Sequence, residues 1–250
     1  MPEPLVPAEL AFTAEGTPWS AAYGDVYHSS DGGPAQARHV FLAGCGLPER
    51  WRGRNRLVVL ETGFGLGLNF LATWQAWRAD PARCARLHYV SIEKHPFSRA
   101  DLEDVHRRHA EFAPLAAQLH AQWPLLVPGL HRLSFDDERI VLTLAFADAM
   151  QVLAQLRLHA DAIYLDGFAP AKNVDLWAPG VMKALARLAA SGAQAATWSA
   201  ARSVRDGLSA AGFEVETRPG LGSKREMTVA RLSAARAPQR PAPPQPRRAL

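Results

Sequence analysis

Short apolar runs alternate along the chain with longer segments in which apolar residues recur at helical spacing. The clearest run is Leu57–Leu60, aliphatic throughout, as expected of a parallel strand buried on both faces. Glu61 closes it, and Gly63, Gly65 and Gly67 follow at alternate positions. From Leu68 the apolar positions return with helical period through Leu71, Ala72 and Ala76. The predicted unit is strand, glycine loop, helix. Such a loop lets backbone approach a ligand closely, with helix amides and dipole aimed at it.

The alternation continues downstream. Strands are predicted over 87–94, ending in Glu93, over 139–148, ending in Asp148, and over 161–170, carrying Asp166; 193–199, 213–218 and 226–232 follow. Between them fall a polar helix beginning at Ser98 and Asp101 and running through His106 and His109, then helices over 149–158, near 176–190 and over 202–211. This order predicts an α/β fold of the Rossmann-like kind, a mostly parallel, doubly wound sheet. Residues 1–56 read as an N-terminal extension, with a strand and tight turn around YGDVYHSSDGG and a further strand at ARHVFLAG (37–44). They predict a small β-rich subdomain over the mouth of a core spanning 57–232. Residues 233–250 form a Pro/Arg-rich tail predicted to be disordered.

The glycine loop narrows the ligand. A dinucleotide fingerprint wants its third glycine where Leu68 stands, and no Gly-Lys-Ser/Thr triplet closes a phosphate loop. What remains is acid-x-G-x-G-x-G, the first loop of S-adenosylmethionine (SAM) methyltransferases; a glycine-rich turn of another α/β protein is the alternative. Glu61, Glu93, Asp148 and Asp166 all sit at carboxyl ends of predicted strands, where ligands of such sheets bind. Glu93 is placed to accept from a ribose diol, Asp148 from an adenine amino group, and Glu61 to face the cationic end of SAM. A blander role as helix N-cap suits Asp148 in particular. Asp166, followed by Gly167, Phe168 and Pro170, looks like the strand end at which amine-methylating enzymes hold a target nitrogen and stack an aromatic on a base. A structural turn is the alternative there.

Composition alters this little. The net charge is +4, but residues 231–250 hold five arginines and no acid, leaving 23 basic against 24 acidic residues in 1–230. Bulk charge therefore identifies no partner. Local cations do more: Lys172, Lys224 and Arg225 lie where they could meet phosphates, and Arg50, Arg52, Arg54 and Arg56 are either a solvated connector or a phosphate contact. The nine histidines show no metal-binding spacing, and His106 and His109 are expected to face solvent. Seven tryptophans suit core or lid positions, and the two cysteines, Cys45 and Cys84, suit buried thiols of a reduced, cytoplasmic setting. No metal, no membrane span and no signal pattern is expected.

Taken in order, TPWS, YGDVYHS, RHVFL, ETGFGLGLNF, SIEKHP, LDGFAPAKN, LW and KREM resemble the methyltransferase domain of the bacterial tRNA 5-methylaminomethyl-2-thiouridine biosynthesis family, MnmC, from about Thr13 to Leu232. The resemblance implies a class I methyltransferase fold and SAM as methyl donor. It further implies tRNA as partner and methylation of the amine of 5-aminomethyl-(2-thio)uridine at wobble position 34. It implies Asp166 as catalytic acid, and Glu61, Gly63, Gly65, Gly67, Asn69, Glu93 and Asp148 as cofactor residues. Phe168, Lys172, Lys224 and Arg225 become substrate residues. The chain departs from the family pattern at Leu66, which replaces a loop threonine, and at Tyr23, Gly24 and His28. Many family members continue into an FAD-dependent oxidase; no second glycine fingerprint and no FAD domain is expected here, and the tail reads either as a linker to such an oxidase or as a natural end. Two rival functions stand beside this one: a methyltransferase of a small amine or another RNA position, and a non-catalytic tRNA-binding module.

Overall fold

The structure, a computed structural model, describes residues 5–29, 32–222 and 224–233. The tail reading for 233–250 thus lies outside the described residues, Ser233 excepted, as does Asp31 of the predicted turn.

Three short strands, β1 (Ala11–Phe12), β2 (Pro18–Ser20) and β3 (Asp25–Val26), form a small antiparallel sheet. The next segment corrects the sequence reading. ARHVFLAG is helical, not a strand: α1 (Gly33–Gln36) runs on into a π-helical stretch, Ala37–Ala43. Ala37, Val40 and Phe41 are buried at helical spacing in the main hydrophobic core. A short apolar run cannot be assigned from periodicity alone, and here tertiary burial decided for helix.

The core follows as β4 (Arg56–Glu61), α2 (Leu68–Ala79), β5 (Arg86–Glu93), α3 (Arg99–His106), α4 (Ala113–Gln122), β6 (Gly129–Phe135), β7 (Ile140–Phe146), α5 (Ala149–Gln155), β8 (Ala160–Tyr164), α6 (Pro179–Leu188), β9 (Ala189–Thr197), α7 (Arg202–Ala210), β10 (Phe213–Pro219) and β11 (Glu226–Leu232). The sheet order is β10-β11-β9-β8-β4-β5-β7-β6. β4, β5, β7, β8 and β9 run parallel, while β6, β10 and β11 pair antiparallel at the two edges. The edge strand β6 was not anticipated: its sequence, GLHRLSF, is largely solvated and keeps no apolar run.

Burial on both faces explains the aliphatic runs. Leu57 and Val59 face one core with Phe70, Trp74 and Trp77 of α2. Leu60, Val90 and Ile92 face another with Val152, Val181 and Leu185 from α5 and α6. The chain leaves β4 toward β5 and β7, then returns through β8 and β9 on the other side. The switch in strand order therefore falls between β4 and β8, where a crevice opens at the carboxyl ends.

The arginines before β4 lie at the opposite end of the sheet and serve the fold. Arg50 donates to the carbonyls of Cys45, Asp161 and Gly192, Arg52 pairs with Asp80, and Arg54 with Asp161. These contacts favour the connector reading for Arg50, Arg52 and Arg54, while Arg56 is the exposed first residue of β4. Among the described residues, no helix is long and apolar enough to cross a membrane.

Candidate active site

A cavity of about 720 Å³ opens over the switch point, a size suited to a nucleoside-type ligand. The glycine loop, the ends of β5, β7 and β8 and the small N-terminal sheet enclose it. Of the site residues expected from the sequence, Gly63, Gly65, Asn69, Glu93, Asp148, Asp166, Phe168, Lys172 and Lys224 line it. Glu61 and Gly67 lie behind that lining, and the exposed Arg225 lies outside it.

The loop is shaped by its glycines and stitched to β8. Gly67, at φ 72°, precedes α2, and a side-chain carbon there would come within 2.8 Å of the Phe64 ring. At Gly63 such a carbon would approach the Asp166 carbonyl to 3.2 Å. Thr62 makes the stitch: its hydroxyl donates to the Asp166 carbonyl at 2.7 Å and accepts from the Asp166 N–H at 3.1 Å. Nothing local in the sequence marks Thr62 for this role.

Glu93 holds the loop from the other side. Its carboxylate accepts the Gly65 N–H and the His95 N–H, both at 2.8 Å. Each oxygen retains a second lone pair, which fits a diol donor at the cavity wall. Asp148 caps α5, accepting from the Met150 N–H at 2.9 Å, and pairs with Lys94 at 3.4 Å. Capping and cavity lining thus coincide in one residue.

Beneath the loop, Glu61 is fully buried, accepting from Ser91 Oγ at 2.7 Å and Asn69 Nδ2 at 2.9 Å. Burial pushes its pKa up to about 8 against those hydrogen bonds, so the carboxyl is held largely protonated at neutral pH. Asn69 Nδ2 also donates to Asp166 Oδ2 at 2.7 Å, and the Gly167 N–H donates to Asp166 Oδ1 at 2.8 Å. Burial raises the Asp166 pKa to about 6, opposed by these donors.

The expected exposure of His106 is overturned. α3 stops at His106, which turns inward and is buried behind the loop. Burial lowers its pKa to about 4, so the ring is neutral: Nε2–H donates to the Leu66 carbonyl at 2.7 Å, and Nδ1 accepts from His120 Nε2 at 2.8 Å. His109 lies beyond the helix end, half-buried with its ring 6.4 Å from that of His28.

The N-terminal sheet closes the mouth. Asp25 accepts the Ala169 N–H at 2.9 Å and pairs with Lys172 at 3.7 Å, while Lys172 also donates to the Gly24 carbonyl. Tyr23 stacks on Phe168, and Tyr27 meets the same ring edge-on at 5.0 Å. Lys224 lies over the Trp198 ring at 4.9 Å, and Trp198 Nε1 donates to the Gly167 carbonyl at 3.2 Å. Tyr27, Trp198 and Thr62 are among the lining residues that sequence reasoning did not single out.

The strand order, the glycine loop and the acids at the strand ends define a class I, Rossmann-like SAM-dependent methyltransferase fold. A family described as S-adenosyl-L-methionine-dependent methyltransferase matches residues 110–233. The chain is 64% identical over 224 residues to the tRNA 5-methylaminomethyl-2-thiouridine biosynthesis bifunctional protein MnmC of Azoarcus sp. (strain BH72), covering 90% of this chain and 35% of that protein. It is 58% identical over 246 residues to the protein of the same name from Cupriavidus necator, covering 98% of this chain and 37% of the relative. MNMC2 from Aquifex aeolicus, a crystal structure, superposes with a TM-score of 0.68 at 26% identity, over 92% of this chain and 70% of that one. The chain resembles the SAM-dependent methyltransferase part of the MnmC proteins and spans just over a third of the length of those bacterial relatives.

Proposed function

We propose that the chain transfers a methyl group from SAM to the amine of 5-aminomethyl-(2-thio)uridine at wobble position 34 of tRNA, giving 5-methylaminomethyl-(2-thio)uridine. The observation that carries this reading is the seat of Asp166. It lies at the floor of the cavity, hydrogen-bonded to the strand that bears the glycine loop and two residues from an aromatic ring. The names of the relatives supply the substrate class.

In this reading Gly63, Gly65, Glu93 and Asp148 hold SAM, with Gly67 shaping the loop and Glu61 and Asn69 supporting it from beneath. SAM, when bound, supplies a sulfonium methyl for in-line displacement by the amine. The work of the protein is positioning, which can supply about 7–11 kcal/mol of such a barrier. The amine must be neutral to attack, and alkylamines are mostly protonated near neutral pH. A carboxylate raised to about 6 is a stronger base than one near the ordinary value of about 3.9. Asp166 accepts an N–H of the amine, aims its lone pair and stabilises the ammonium that forms. Phe168 stacks on the base, and Lys224 with Arg225 meets phosphates. The division into an extension (1–56), a core (57–232) and a tail (233–250) belongs to the same proposal, as do a cytoplasmic setting and an FAD-dependent oxidase acting upstream.

Nucleoside analysis of tRNA bearing the aminomethyl group, after incubation with labelled SAM, tests this reading. The label is expected in 5-methylaminomethyl-(2-thio)uridine. Label in another nucleoside, or only in a small amine, would replace it.

A further inference from the structure

Asn69 stands between two carboxyl groups. One amide hydrogen goes to Glu61 Oε1 at 2.9 Å and the other to Asp166 Oδ2 at 2.7 Å, so both N–H donors are committed. The orientation follows from Asp166, because a flipped amide would set its oxygen against that carboxylate. Asn69 is itself buried and sits in the first turn of α2, directly after the glycine loop. Its backbone carbonyl takes the Thr73 hydroxyl at 2.7 Å, and that hydroxyl contacts Tyr164 Oη at 3.1 Å. The bridge is therefore anchored on α2 at one end and on β8 at the other.

The two carboxyls differ in surroundings. Glu61 has no solvent exposure and accepts from Ser91 and Asn69. Asp166 borders the cavity and takes the Gly167 N–H as well as Asn69. Two neighbouring acids in one buried site do not both ionise readily, and the one that borders the cavity is the better hydrated and keeps the charge. A hydrogen bond to a charged carboxylate is stronger than one to a neutral carboxyl, so the amide bonds most strongly to Asp166 when that group, at the cavity edge, carries the charge.

We propose that Asn69 is a positioning residue for Asp166: by donating to both carboxyls it fixes the direction of the Asp166 oxygen and keeps the negative charge on Asp166 rather than on Glu61. This rests on reading Asp166 as the carboxylate that meets the amine. It differs from a role for Asn69 in gripping the cofactor, which would act on SAM affinity alone. The groups that set the balance at Asp166 are Asn69 from α2, Glu93 from β5, the Gly167 N–H beyond β8 and the Trp198 indole after β9, and the Asp166 charge in turn raises Glu61 of β4.

The test reads the Asp166 carboxyl directly by carbon-13 NMR of aspartate-labelled protein, assigned with Asp166→Asn, and needs no turnover. In Asn69→Ala the Asp166 titration is expected to move up by about one pH unit, as loss of one hydrogen bond to a charged group implies. Asn69→Asp, which keeps the shape and removes the donors, is expected to move it further and serves if the alanine variant does not fold. A parallel measurement is the pH profile of single-turnover methylation. Its acid limb is expected to shift upward with the same variants, whereas a purely structural role lowers the rate at every pH without moving the limb. An unchanged Asp166 titration in folded Asn69→Asp overturns the proposal. A wild-type protein that titrates as expected but methylates no aminomethyl-tRNA instead overturns the functional reading and leaves the titration result standing.

Discussion

The ring of Tyr23 lies on that of Phe168, with centroids 4.5 Å apart and planes 25° apart. Phe168 thus offers its face to a residue of the N-terminal sheet, and a base stacking there must take the place of Tyr23 or slide beside it. Gly24, at φ 59°, follows Tyr23 with no neighbouring atom against the position of an added side-chain carbon. Aromatic stacking on a base is worth about 1–3 kcal/mol. Phe168→Leu, which keeps apolar bulk, should raise KM for aminomethyl-tRNA by about tenfold while SAM affinity, read by calorimetry, changes far less. An unaltered KM would remove Phe168 as the base platform.

Lys172 and Lys224 were paired in the sequence as phosphate contacts, but their surroundings separate them. Lys172 is engaged by Asp25 and the Gly24 carbonyl, whereas Lys224 lies over an indole at the cavity edge. A lysine that neutralises a phosphate contributes close to one unit to the salt slope of binding. Lys224→Met should reduce the slope of log affinity for tRNA against log salt by about one. Lys172→Met should leave the slope nearly unchanged and loosen the N-terminal sheet, seen as faster amide exchange around Asp25. Equal slopes for the two variants would contradict this division.

Glu61 gives a stability test with a definite sign. Its folded pKa is raised to about 8 by burial, above an unfolded value of about 4.3. The folded state therefore holds the proton more tightly. The associated stability is fully present below the unfolded pKa and is lost as pH rises through about 8. Glu61→Gln keeps a neutral side chain able to bond Asn69 and Ser91. Relative to this variant, the wild type should lose on the order of a few kcal/mol between pH 5.5 and 8, measured by urea unfolding. Parallel curves across that range would mean that Glu61 is ionised in the folded protein.

How far the sequence foretells this site depends on the range of each signal. Strands β4, β5, β7 and β8 are buried on both faces, so their apolar runs mark them, and the acids that end those runs mark the cavity floor. Edge strand β6 is wet on one side and left no run. Val40 and Phe41 read equally well as strand or helix until α2 packs on them. The Thr62 clamp on Asp166 spans 104 positions, and the Asn69 bridge to Asp166 spans 97, so no local pattern encodes either. His106 misled for a related reason. Asp101, Glu103 and Asp104 make α3 read as a solvated helix, yet His106 shares its buried side with Leu102 and Val105, and the ring turns under the loop to hold Leu66.

The mechanism turns on separating binding from chemistry at Asp166. Asp166→Asn keeps the shape of the side chain and an acceptor for the Gly167 N–H, but removes the charge. It can also still accept from Asn69 if its oxygen turns that way, so either the Gly167 N–H or the Asn69 amide contact must give. If the carboxylate holds the amine and balances the ammonium that forms, SAM and tRNA affinities should stay within a few-fold of wild type. The single-turnover rate at saturating SAM should then fall on the order of 10²–10⁴-fold, the range for a positioned base or charge. If Asp166 only shapes the turn after β8, its clamp with Thr62 runs through backbone atoms that the variant retains. The rate should then remain near wild type, and any loss should follow stability. A near wild-type rate on tRNA already carrying the aminomethyl group would remove Asp166 from the chemistry and leave the ring of Phe168 as the next group to test.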